Sequence, residues 1–133
     1  MAVQHHNHPI LSICIPTFNR ASCLENLFKN LEAIKQTFGN EIEICMSDNH
    51  STDNTLQVIE TWRDRLALKV VTQQKNIGAS LNCIEVTRSA VGKWILIIND
   101  DDELIFVNFK KLMKFLQTAE EGDWILADVT DKA

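Results

Sequence analysis

Four acidic residues in succession, Asp100-Asp101-Asp102-Glu103, follow directly on the apolar run Trp94-Ile95-Leu96-Ile97-Ile98. Adjacent carboxylates repel one another, and the arrangement costs free energy unless a cation or a helix N-terminus compensates it. One chemistry that uses such a cluster is the holding of a divalent metal, Mn²⁺ or Mg²⁺. One or two carboxylates then supply ligands, and phosphate and water complete the shell. A plainer reading is a helix start, with Asp102 or Glu103 favouring the macrodipole. A single aspartate would fit that reading; three aspartates and a glutamate where a buried strand leaves the core favour the metal.

Three more polar stretches carry candidate chemistry. Ser47-Asp48-Asn49-His50-Ser51-Thr52-Asp53 follows a second apolar run, and the Asp48 carboxylate suits a base N–H or a ribose hydroxyl. Ser51, Thr52 and Asp53 read as a helix cap, and His50 alone earns no role. In Pro16-Thr17-Phe18-Asn19-Arg20, Pro16 is expected to end a strand ladder and Thr17 offers a hydroxyl. The Arg20 fork matches phosphate oxygens, or pairs with a surface carboxylate such as Glu25. In Asn76-Ile77-Gly78, the glycine permits close backbone approach by a ligand or a tight turn. Neighbouring Lys75 reads as an ordinary loop lysine. Asn82 and Arg88 lie six positions apart on a predicted helix, not on one face, and serve different ends.

Several classes are excluded. Neither the G-x-G-x-x-G fingerprint nor the P-loop pattern occurs. No Ser/His/Asp arrangement stands out, so a nucleophilic hydrolase has no support. A net charge of −5 argues against a nucleic-acid partner, which calls for a basic footprint.

The elements that must position these loops alternate. Strands are predicted at 10–15, 41–46, 67–72, 93–98 and 124–127. Helices are predicted from Ser22 to Phe38, from the Ser51–Asp53 cap through Trp62, from Gly78 to Val91, and from Phe106 to Thr118. Near-continuous apolar strands between amphipathic helices predict an α/β domain with a mostly parallel sheet. Ligands of such sheets bind beyond the carboxyl ends of the strands, where all four polar stretches fall. With 133 residues, 45% hydrophobic and 23% charged, one globular domain is expected. Residues 1–9, with His5, His6 and His8, read as a flexible terminus, and 10–133 as the domain. The four cysteines lack metal-type spacing and read as reduced thiols of a cytoplasmic protein, with Cys14 and Cys45 inside buried strands. No apolar run approaches the roughly 20 residues of a membrane span, which leaves peripheral attachment open.

Taken in order, Leu11-Ser12-Ile13-Cys14-Ile15-Pro16-Thr17-Phe18-Asn19-Arg20, Glu43 to Thr55, Asn76-Ile77-Gly78 and Ile97 to Leu104 resemble a family 2 glycosyltransferase of the GT-A fold, in its nucleotide-sugar-binding half. The resemblance spans residues 10 to about 128. It implies a Rossmann-like nucleotide-binding domain and a nucleoside diphosphate sugar donor, foremost a UDP-sugar. Pro16, Thr17, Asn19, Arg20, Asp48, Asn76, Gly78 and Asp100 would contact that donor, with Thr17 bordering the base pocket and Asp48 meeting base or ribose. Asp100 to Asp102 match the D-x-D motif that holds Mn²⁺ or Mg²⁺ on the diphosphate, with Asp101 and Asp102 as metal ligands.

The same resemblance implies transfer to a hydroxyl of a saccharide or lipid-linked acceptor. Inversion is usual, and cell-surface polysaccharide synthesis at the inner face of the membrane is the common setting. The family's catalytic base comes from the second half of the fold, and the late acids Asp123 and Asp128 are not assigned that role. The chain is therefore expected to stop short of the acceptor half, either as part of an enzyme or as a module that binds nucleotide and metal only. A phospho-acceptor signalling domain also gathers acids at strand ends, but needs an aspartate where the third strand here ends in Thr72-Gln73-Gln74.

Overall fold

A computed structural model describes residues 8–120 and 130–131. The elements run β1 (Leu11–Thr17), α1 (Ala21–Phe38), β2 (Ile42–Asp48), α2 (Thr55–Leu66), β3 (Lys69–Thr72), α3 (Ala79–Arg88), β4 (Trp94–Ile97), β5 (Glu103–Leu104), α4 (Phe106–Leu116) and β6 (Thr130–Asp131). Strands β1 to β4 form one parallel sheet in the order β3-β2-β1-β4. Glu103 and Leu104 of β5 pair antiparallel with β6 in a separate two-stranded sheet that sequence reasoning did not anticipate. The predicted strand at 124–127 lies outside the described residues, as do residues 1–7 with His5 and His6.

Period-two alternation splits the sheet into two faces. Leu11, Ile13 and Ile15 of β1 join Ile42, Ile44 and Met46 of β2 under α1, α2 and α4. Helix α1 buries Leu24, Leu27, Phe28, Leu31 and Ile34, the helical spacing read from sequence. Phe28 meets Trp62 of α2 with ring centroids 5.9 Å apart, and Phe38 meets Phe109 of α4 at 5.4 Å. The opposite face is smaller: Cys14 and Cys45 lie under Val86 of α3. All four cysteines are free, as expected. The Cys14 thiol is pushed up by its hydrogen bond with Cys45 and by burial, and stays protonated.

Three sequence expectations change. Pro16 does not end β1, which continues to Thr17 opposite Asp48. In a parallel strand alternate residues bond alternate neighbours, and Cys14, two positions earlier, accepts from Ile98 on the β4 side. Pro16 therefore faces β4 beyond Cys14 and Ile97, where that pairing has stopped, and its missing N–H forfeits no ladder bond. Among the described residues strand β4 has one neighbour, β1, and its run is not closed over on both faces: Ile95 and Ile97 are 50% and 49% exposed. Strand β3 starts at Lys69, because Ala67 adopts a left-handed φ of 49° and closes α2.

The strand order places the site. The chain steps outward from β1 through β2 to β3, then returns to the other side of β1 as β4. The strand order thus reverses between β1 and β4, and the carboxyl ends of the strands at such a topological switch are where ligands of these sheets bind.

Candidate functional site

At that switch Thr17 ends β1, and Asp100 follows the end of β4 by three residues. The Thr17 hydroxyl donates to Asp100 Oδ2 at 2.9 Å, and Arg20 Nε lies 3.5 Å from Asp100 Oδ1. Asp100 is only 7% exposed. Burial pushes its carboxyl above the ordinary value, while the Thr17 hydroxyl and the Arg20 charge pull it back and Asp101 adds to the rise. Arg20 is half exposed, so its guanidinium has room to turn toward solvent. Glu25, the alternative partner, instead accepts from Trp62 Nε1 at 3.0 Å.

A cleft of about 470 Å³ opens over this cluster. Pro16, Thr17, Arg20 and Asp100 form one wall, and Asn76, Gly78 and Asn82 the other. Gly78 has φ 86°, a conformation that favours glycine, and its N–H donates to Asn76 Oδ1 at 2.9 Å as the chain turns into α3. Six of the eight donor-contact residues expected from sequence thus converge on one cleft.

The other two act from outside its lining. Asp48 is fully buried and accepts from both the N–H and the hydroxyl of Ser51, which shapes the loop after β2. Asn19, at φ 51°, clasps that loop to the one after β1. Its Oδ1 accepts from Thr52 N–H at 2.8 Å, and its own N–H donates to Ser51 Oγ at 2.9 Å. Asp53 accepts from Thr55 N–H at 2.9 Å in a turn that leads into α2, whose N-cap residue is Asn54 without a side-chain cap bond, so the expected cap is replaced by this turn.

Two buried amides were given no role from the sequence. Asn49 Oδ1 accepts from Ile77 N–H at 2.9 Å, and its Nδ2 donates to Asn76 Oδ1 at 3.0 Å. Asn82, 2% exposed, hydrogen-bonds the ends of β1 and β2. Position in a polar loop was a signal for Asn49. For Asn82 the signal was an amide on the sheet-facing side of an otherwise apolar helix.

The acid run divides. Asn99 and Asp100 line the cleft just described; Asp101, Asp102 and Glu103 line a second one of about 530 Å³ with Ser22, Asn26 and Asn30 of α1. Asp102 is 8% exposed, and its Oδ2 accepts from Asn99 N–H at 2.8 Å, closing a turn; α4 starts only at Phe106. Asp101 is exposed between them. Among the described residues no three His, Cys, Asp or Glu side chains converge into a protein-only metal cage. Asp101 and Asp102 are nevertheless a donor set of the size that Mg²⁺ or Mn²⁺ takes when phosphate and water complete the shell.

The model of the family described as glycosyl transferase family 2 matches residues 12–127. The chain belongs to that family. It is 32% identical over 121 residues to the abequosyltransferase RfbV of Salmonella typhimurium, covering 90% of this chain and 35% of that one. Among solved structures, Staphylococcus aureus TarS in complex with UDP-GlcNAc is 30% identical with a TM-score of 0.73, over 80% of this chain and 31% of that one. The mannosyltransferase PcManGT from Pyrobaculum calidifontis, in complex with GDP-Man and Mn²⁺, is 25% identical with a TM-score of 0.64, over 73% of this chain and 29% of that one. The family 2 chain thus has the GT-A architecture expected from sequence and spans about a third of RfbV. Among its described residues no helix is long and apolar enough to cross a membrane.

Proposed function

We propose that this chain forms the donor-binding part of an enzyme that moves a sugar from a nucleoside diphosphate sugar, foremost a UDP-sugar, to a hydroxyl of a saccharide or lipid-linked acceptor. The observation that carries the reading is the Thr17–Asp100–Arg20 cluster under a cleft at the switch point. It places a hydroxyl, a buried carboxylate and a movable guanidinium where a phosphorylated ligand of such a sheet binds. Pro16, Thr17, Arg20, Asn76, Gly78 and Asp100 touch the donor from the cleft walls. Asp48 and Asn19 hold the loops that shape it. The likeness to TarS with UDP-GlcNAc supports a uridine nucleotide.

Asp101 and Asp102 hold Mn²⁺ or Mg²⁺, which when bound neutralises the charge that develops on the leaving diphosphate. The likeness to the PcManGT structure with GDP-Man and Mn²⁺ supports Mn²⁺ as the metal. Arg20 leaves Asp100 for a diphosphate oxygen and shields the same charge from the protein side. Transfer proceeds with inversion, and no described residue is assigned as the base that activates the acceptor. The setting is cell-surface polysaccharide or glycoconjugate synthesis in the cytoplasm, against the inner face of the membrane.

Calorimetry with UDP, with and without Mn²⁺, tests the reading alongside a sugar-transfer assay on the same chain. Binding of UDP that Mn²⁺ strengthens is expected; absence of nucleotide binding sinks the proposal. A second reading is a module that binds nucleotide and metal without turnover. Binding without transfer selects it.

A further inference from the structure

Asn82 is the side chain through which α3 grips the sheet at the site. Its Oδ1 accepts the Ser47 hydroxyl at 2.7 Å. Its Nδ2 donates to the Ser47 carbonyl at 3.0 Å and reaches the Thr17 carbonyl at 3.4 Å. Gln73, just past β3, donates to the same Ser47 hydroxyl at 3.0 Å. One carboxamide therefore joins the last residue of β1 to the penultimate residue of β2, and through Ser47 to the end of β3. It also sits one helical turn after Gly78, whose carbonyl accepts the Asn82 N–H at 3.0 Å. The two walls of the cleft meet at this residue.

We infer that Asn82 is a positioning residue for donor binding: by fixing the Thr17 peptide it aims the Thr17 hydroxyl that holds Asp100. This rests on the donor-binding reading above. A carboxamide suits the place because it presents an acceptor and a two-hydrogen donor together, and every neighbour needs one of these. The Thr17 hydroxyl is spent on Asp100, and its carbonyl is shared between Asn82 and Asn49 N–H beside the pairing with Asp48 of β2. Without Asn82 the end of β1 loses its link to α3, and the Thr17 peptide is held by its pairing with β2 alone. The hydroxyl then leaves Asp100 facing Arg20 alone. The resemblance in sequence set Thr17 at the border of the base pocket, but its hydroxyl is turned to Asp100 beside Arg20, so the consequence falls on the diphosphate end that Arg20 meets and spares the base.

The test is a double-mutant cycle on the whole chain, read by calorimetry with UDP plus Mn²⁺ and, separately, with uridine. Asn82→Asp keeps the shape and the acceptor but sets a carboxylate against two carbonyls. Asn82→Ser is the milder variant should the first fail to fold. Loss of one such hydrogen-bonding unit is expected to weaken UDP–Mn²⁺ binding about tenfold. Uridine binding should stay unchanged, and either variant combined with Thr17→Val should bind UDP–Mn²⁺ no worse than Thr17→Val alone. A purely structural role would lower uridine and UDP binding together and multiply with Thr17→Val; either result overturns the inference, as does a variant that binds like the parent. If the parent itself binds no nucleotide, the donor-binding reading has failed and the inference falls with it.

Discussion

The Thr17 hydroxyl reaches Asp100 across 83 positions of sequence, at 2.9 Å. The β1–β4 ladder has already stopped at Cys14 and Ile97, so this bond joins the two strands' loops where the backbone no longer does. A buried carboxylate beside an aspartate and held by one hydroxyl and one guanidinium is costly to build for packing alone. Its place at the switch point is what makes it a candidate site.

Asp101→Asn should leave the fold intact, because the side chain is exposed at a turn. Surface changes of this kind shift stability by about 0.5 kcal/mol or less. The gain in UDP affinity on adding Mn²⁺ should disappear. A mutant titrating like the parent in calorimetry would remove Asp101 from the metal site.

Arg20→Ala should separate the two ends of the donor. Uridine affinity is expected to hold, while UDP affinity falls about tenfold, the cost of one charge-assisted phosphate contact. Equal losses for uridine and UDP would mean that Arg20 shapes the loop without meeting phosphate.

Glu43→Gln should destabilise the protein without touching nucleotide binding. Burial opposes ionisation of Glu43, but Ser12 Oγ, Val91 N–H and Lys69 outweigh it and hold the carboxyl below its ordinary 4.5. A lowered folded-state value means that the unfolded chain binds more protons on acidification. The stabilisation is therefore present above the ordinary value and is lost as pH falls through the folded one. Denaturant unfolding should show a deficit of about 1–3 kcal/mol at neutral pH that shrinks below pH 4.5. A deficit constant with pH would refute the assignment.

Gly92→Ala should destabilise through contact alone. A Cβ at Gly92 would stand 2.5 Å from Ser12 Oγ and 2.8 Å from Ser12 N. Overpacking of this sort costs about 1–3 kcal/mol, readable as a lowered thermal midpoint. An unchanged midpoint would show that β1 yields at Ser12.

Much of this architecture was legible because apolar periodicity and loop polarity are local. The runs ending at Thr17, Asp48 and Ile97 carry their strands openly, and α1 shows its buried stripe at helical spacing. What stayed hidden was direction. Nothing local separates Asp100, turned toward Thr17, from Asp102, turned back on Asn99, because that depends on the turn after β4. The half-exposed Ile95 and Ile97 were read as core, since an apolar strand looks alike in sequence whether or not each of its faces is covered. Asn82 was seen but given no role, because its partners Thr17 and Ser47 are 65 and 35 positions away.

The Asn19 clasp has a kinetic corollary. Its side chain bridges Thr52 and Asp53 while its own amide is tied to Ser51, so neither loop can lift without breaking the other's bonds. The amide protons of Asn19 and Thr52 should therefore exchange with deuterium at a common rate, as one cooperative opening unit. Bound nucleotide should slow both by the same factor.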